Sequence, residues 1–240
     1  MLNFNTIFLS LLGGILPALF WLFFWLKEDK LKPEPRSLII LSFFFGMVAV
    51  LVALFAEKSV KNFIIGDTML LVLYAPIIEE ALKFFAAYFS ALRNKENDEP
   101  IDPTIYLITS ALGFAALENV LFLVNPLSEN NIMASIATGD LRFIGASLLH
   151  ITASASIGIF IGFSFYKSRI FKFALTIAGL ATAVTLHSFF NFFIIRGTES
   201  NIFTVFAGLW VAVIILLLIL EKIKKVGVKS ESILNKNNRL

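Results

Sequence analysis

The sequence predicts an all-α bundle that crosses a membrane about seven times, and three observations lead there. Of 240 residues, 58% are hydrophobic and 15% are charged, where a soluble domain carries about 25% charged. The apolar residues come in blocks, and a hydrocarbon core about 30 Å thick takes about 20 residues per crossing. Short polar connections separate the blocks, so little chain is left for a soluble domain. Backbone polar groups in lipid must be satisfied within each segment, and for blocks of this kind that means helices.

The blocks fall at residues 6–26, 37–56, 68–92, 104–124, 142–166, 172–195 and 202–221. We read residues 1–221 as one helical domain and 222–240 as a polar tail on the inner side. Orientation follows from Lys and Arg in the connections. The loops after the first, third and fifth spans and the tail together hold fifteen, from Lys27 to Arg239. The other side holds four: Lys58, Lys61, Arg142 and Arg196. The expectation is an N-terminus outside and a C-terminus inside. This topology accounts for the net charge of +3 without a nucleic-acid partner. "MLNFNT" has no basic stretch and no small-residue cleavage site follows, so the first span reads as an anchor rather than a cleaved leader. There is no cysteine, which excludes disulfides and thiolate chemistry.

Against this apolar background, a few polar residues stand inside spans. "YAPIIEEALKFF" puts Glu79, Glu80 and Lys83 in the third span. Three such charges cost roughly 8–10 kcal/mol on an insertion scale, while each large apolar neighbour returns about 0.3–0.6. The span therefore needs partners for its charges. Lys83 follows Glu79 by four residues and Glu80 by three, which makes internal neutralisation available. Pro76, just upstream, removes one backbone hydrogen bond and predicts a kink. "GFAALENVLF" places Glu118 and Asn119 in the fourth span, "GASLLHITAS" places His150 in the fifth, and "TLHSFFNFF" places His187 and Asn191 in the sixth.

Depth connects these residues. At 1.5 Å per residue, His150 and His187 each lie about 12 Å below the outer ends of their spans, Glu118 about 9 Å and Glu79 about 16 Å. Helices of alternating direction thus bring their costly groups to one slab, in the outer half of the bilayer. The third to sixth spans are expected to converge on a water-accessible cavity, with the first, second and seventh peripheral. His187 and Asn191 share a helix face, four residues apart. An imidazole and a carboxamide there can bind a metal or donate to an oxyanion. Glutamate with histidine suits metal coordination or water activation. Asn119 and Lys83 are open between site and interhelical glue, and Arg142, at the outer mouth, reads as a snorkelling anchor or as support for the site.

These elements resemble the PrsW intramembrane proteases. "EEALK" resembles their EExxK element, "GFAALEN" their GFAxxEN element, and His150 and "HSFFN" their third and fourth elements. "KEDKLKPEPRSL" is similar to a Pro-Glu-Pro segment of that family, itself distantly related to the membrane CAAX prenyl endopeptidases. The resemblance runs from about residue 28 to 193. It implies a bacterial multi-pass membrane enzyme that hydrolyses a peptide bond of a transmembrane substrate, such as the first cut in an anti-sigma factor. It implies that Glu79 or Glu80 activates water and that His150 and His187 position water or bind metal. Asn191 would stabilise the oxyanion, with Glu118 as a further carboxylate. The metal set, if there is one, would be Glu79, Glu118, His150 and His187 around a divalent ion such as zinc. No HExxH, GxGD or GxSG element is present, so the better-known zinc, aspartyl and serine chemistries are excluded by motif. Two other readings are a proton- or ion-coupled carrier using the buried Glu and His, and a scaffold whose polar groups only lock helices together.

Overall fold

A computed structural model describes residues 3–29, 32–63, 68–129, 131–196 and 199–237. Among them every regular element is helical: α1 (Phe4–Leu26), α2 (Arg36–Phe63), α3 (Thr68–Ala87), α4 (Asp102–Ser128), α5 (Ile132–Leu141), α6 (Ser147–Phe163), α7 (Arg169–Arg196) and α8 (Glu199–Asn237). A π-helical turn at Tyr88–Leu92 extends α3, and another at Arg142–Ala146 joins α5 to α6 in one rod. Six segments among the described residues are long and apolar enough to cross a membrane. The seventh rod is α3, whose apolar run is interrupted by Glu79, Glu80 and Lys83. The chain is a multi-pass integral membrane protein.

Three boundaries differ from expectation, each because helix continues past the apolar block. The second span runs on to Phe63 and takes Glu57 into α2. The fifth begins at Ile132 rather than 142, since the π turn lets α5 continue into α6. Residues 222–237 of the expected tail extend α8. Pro76 lies inside α3 without ending it.

The bundle is organised around α4 and α6. Residues 101–116 are buried without a break, and so are 147–155. α4 packs against α1, α2 and α6, and α6 also packs against α7 and α8. Small residues bring the backbones together, the usual basis of helix association in lipid. A Cβ on Gly46 of α2 would stand 2.0 Å from the Ser110 carbonyl oxygen, and one on Gly113 of α4 would stand 1.9 Å from that of Phe43. This reciprocal pair sets the α2–α4 distance, five residues before Glu118. Large apolar side chains such as Phe20, Phe44, Phe55, Phe122, Phe173 and Phe189 face outward, as lipid requires.

Candidate active site

α3, α4, α6 and α7 bring their polar residues into one connected cluster, as the depth argument expects. Lys83 lies at its centre, with 0% exposure. Its Nζ donates to Glu80 Oε1 at 2.7 Å, to His150 Nδ1 at 2.7 Å and to Glu79 Oε2 at 3.4 Å. The Phe114 ring from α4 covers it, 4.4 Å from Nζ to the ring centroid, a favourable seat for a desolvated ammonium. Thus the i,i+3 and i,i+4 pairs foreseen on α3 both form. Lys83 also bridges α3 to α6.

The two neighbouring carboxylates part company, because successive side chains on a helix diverge by about 100°. Glu80 has 0% exposure and accepts from Lys83, from Ser154 Oγ at 3.0 Å and from His187 Nδ1 at 2.8 Å. Glu79 keeps 7% exposure. Its Oε2 stands 3.9 Å from His187 Nε2.

These partners assign the imidazole protons. An ammonium only donates, so His150 Nδ1 is the acceptor and its Nε2–H donates to Glu118 Oε2 at 3.0 Å. Ionised Glu80 only accepts, so His187 donates through Nδ1. In the neutral ring Nε2 then carries the lone pair, on the side of Glu79. The rings meet edge to face with centroids 5.2 Å apart.

Glu118 and Asn119 both bond to Arg142, whose guanidinium also lies 3.9 Å from the Phe122 ring centroid. The snorkelling reading of Arg142 is therefore replaced: the residue turns into the bundle and holds α4 to the π turn. Asn119 also donates to Ser147 Oγ at 3.4 Å, a joint between α4 and α6. Asn191, half-buried one turn beyond His187, makes no hydrogen bond among the described residues.

The cluster is largely buried, and exposure rises toward Glu118 and Arg142, whose side chains are 20% and 14% accessible. A cavity of about 370 Å³ between α6, α7 and α8 lies nearby, lined by Leu149, Thr152, Leu186 and Phe190 among others. It is apolar, and none of the cluster's own residues lines it.

The sequence reading missed Glu57 and Ser154. Glu57, half-buried on α2, is close enough to Glu79, Glu118 and Lys83 to interact electrostatically with each. The helical repeat was the available signal, since the α2 pattern carries on past Phe55. Glu57 also makes α2 less peripheral than expected. A lone serine such as Ser154 has no distinguishing pattern in a membrane helix.

The fold and this cluster define a multi-pass membrane protein with glutamates and histidines gathered within its helical bundle. Residues 34–219 match the PrsW family intramembrane metalloprotease description, and the chain belongs to that family. The Protease PrsW of Oceanobacillus iheyensis (strain DSM 14371 / CIP 107618 / JCM 11309 / KCTC 3954 / HTE831) is 31% identical over 199 residues, covering 80% of this chain and 86% of that protein. The Protease PrsW of Bacillus subtilis (strain 168) is 30% identical over 65% of this chain and 67% of its own length. That of Geobacillus kaustophilus (strain HTA426) is 28% identical, and this chain spans 65% of its length. No solved structure matches the chain.

Proposed function

We propose that this protein is an intramembrane endopeptidase that cuts a membrane-spanning substrate, with Glu79 as the general base. The observation that carries this reading is the division of labour between Glu79 and Glu80. Glu80 is saturated by Lys83, Ser154 and His187, whereas Glu79 stands at the edge of the cluster beside the open nitrogen of His187.

Glu79 takes a proton from water as the water oxygen bonds to the scissile carbonyl carbon. The carbonyl oxygen becomes an oxyanion, held by the free amide N–H groups of Asn191. Collapse breaks the C–N bond, and the proton passes from Glu79 to the leaving nitrogen, giving one carboxylic acid and one amine. Glu80 is a positioning residue, fixing the tautomer of His187. Glu118 and Arg142 fix His150 in the same way.

The family description implies a metal, and the donors fit one. Glu79, His150 and His187 each place one ligand atom within 4.8 Å of the others, a His₂Glu set of catalytic-zinc type. Glu80 behind His187 is the carboxylate backing that such ligands carry. Bound there, the ion would acidify water and polarise the carbonyl, with Glu79 then serving as its ligand rather than as the free base. His150 would first release Lys83 from Nδ1, and Glu118 stands behind His150 rather than among the donors.

By the distribution of Lys and Arg, the site faces the outer leaflet with the C-terminus inside. An anti-sigma factor is a fitting substrate class. Family membership favours hydrolysis over the carrier and scaffold readings. The test is cleavage of a transmembrane reporter by the purified chain in vesicles, with and without chelator. Chelator-sensitive cleavage restored by zinc supports the metal-assisted form. Cleavage indifferent to chelator leaves Glu79 acting alone, and absence of cleavage against a panel of reporters counts against a protease.

A further inference from the structure

A second group of carboxylates lies about 24 Å along α4 from Glu118. It comprises Asp29 at the end of α1's terminal turn, Glu34 between Pro33 and Pro35, and Asp102 at the start of α4. One oxygen of each lies within 4.8 Å of the others. Asp29 and Asp102 are 5% and 1% exposed. Asp102 Oδ2 is occupied by the backbone N–H groups of Asp98 and Glu99, at 2.8 and 2.7 Å. Glu34 accepts from the Tyr106 hydroxyl. Asp29 Oδ2, fully buried, has no hydrogen-bond partner among the described residues.

A buried carboxylate oxygen with nothing to accept from is costly, and three carboxylates this close cannot all stay ionised without a cation. No ammonium or guanidinium among the described residues is ion-paired with the three. Lys32 pairs with Asp98 and Glu99, and Lys224 pairs with Glu28 and Glu221, so they reach Asp102 and Asp29 only as longer-range charges. A cavity of about 420 Å³, lined by Asp29, Glu34, Pro33 and Leu26 and also by Arg36, which forms no ion pair with the three carboxylates, adjoins the group. The two prolines narrow the backbone around Glu34, so little entropy is lost in holding it there.

We propose that Asp29, Glu34 and Asp102 form a site for a hard divalent cation, which ties the α1–α2 connection to the first turn of α4. The donors are all carboxylate oxygens, with no imidazole or thiolate. That selects magnesium, calcium or manganese over zinc. The site is separate from the Glu79, His150 and His187 donors and does not depend on the proposed proteolysis.

The test uses the full chain in detergent, freed of metal by chelator and titrated with CaCl₂, MgCl₂ or MnCl₂. NaCl of matched ionic strength is the control. Thermal unfolding should shift upward and saturate with one of the divalent ions. Asp29→Asn and Glu34→Gln should each weaken that ion's apparent affinity at least about tenfold, while His187→Ala should leave it unchanged. A shift no larger than that with NaCl would mean that the three carboxyls share a proton instead, which overturns the proposal. An equal shift in parent and both variants, or loss of the shift in His187→Ala, would place the ion elsewhere and also overturn it. Should the Asp29 and Glu34 variants fail to fold, equilibrium dialysis of the parent and His187→Ala against radiolabelled calcium and manganese decides. One equivalent bound by both supports the site, and none bound by the parent or loss in His187→Ala refutes it.

Discussion

Two acidic clusters, one at the start of α4 and one past its middle, handle the same electrostatic problem differently. Around Glu79, Glu80 and Glu118 the chain supplies its own cations, Lys83 and Arg142, with both histidines completing the hydrogen bonds. Around Asp29, Glu34 and Asp102 the hydrogen bonds among the described residues come from neutral donors, and Lys224 and Lys32 act only from beyond ion-pair distance. The difference teaches how buried carboxylates divide by role. A self-compensated cluster assembles with the fold and holds its reacting groups in place. An uncompensated one awaits something from solution, and its strength follows what the solution contains.

That contrast can be broken most forcefully at Lys83. Lys83→Met keeps the bulk but leaves Glu80 charged, at 0% exposure and short of its closest cationic partner. Breaking a buried pair in this way costs about 3–5 kcal/mol. Lys32→Met, at the exposed pairs with Asp98 and Glu99, should cost less than about 1 kcal/mol. Unfolding in detergent of the two variants side by side measures the gap, and equal losses would mean that Lys83 is not the keystone of its cluster.

A smaller effect is expected at Arg142. Arg142→Gln keeps a donor but removes the charge that holds Glu118, so His150 loses its fixed backing. Turnover should fall about 10–100-fold, the range seen when outer supports of a site are removed, with KM little changed. A rise in KM alone would assign Arg142 to substrate binding instead.

The mildest probe is pH, at the other cluster. Glu34 lies outside the spans, and burial pushes its carboxyl up to about 9. The folded state thus holds a proton that the unfolded chain releases near the ordinary glutamate value. Its contribution to stability is full below about pH 4.5 and declines as pH rises toward 9. In chelator the melting temperature should drift down across that window, and Glu34→Gln should flatten the drift. A parent profile already as flat as the variant's would contradict this assignment.

Much of this was legible because a membrane makes each polar residue conspicuous. The rods follow from apolar block length, and Glu79, Glu80, Lys83, Glu118, His150 and His187 stood out as exceptions in oil. Their helices alternate in direction, so matching depths implied convergence. What escaped lies at the ends of the rods. Glu57 read as a loop charge because hydropathy falls before the helix stops. Asp29, Glu34 and Asp102 read as solvated connections, since only the packing of α1, α2 and α4 buries them. Arg142 was ambiguous for the same reason: its direction is decided by the π turn, which no residue pattern announces.

The central claim is that Glu79 activates water while Glu80 holds the site in shape. Its most direct test compares single-turnover cleavage of a transmembrane reporter by Glu79→Gln and the parent, both in vesicles and both checked for equal thermal stability. Glutamine keeps the shape and removes the base, so the rate should fall roughly 10²–10⁴-fold with substrate binding and melting intact. Cleavage by Glu79→Gln at the parent rate would contradict the account.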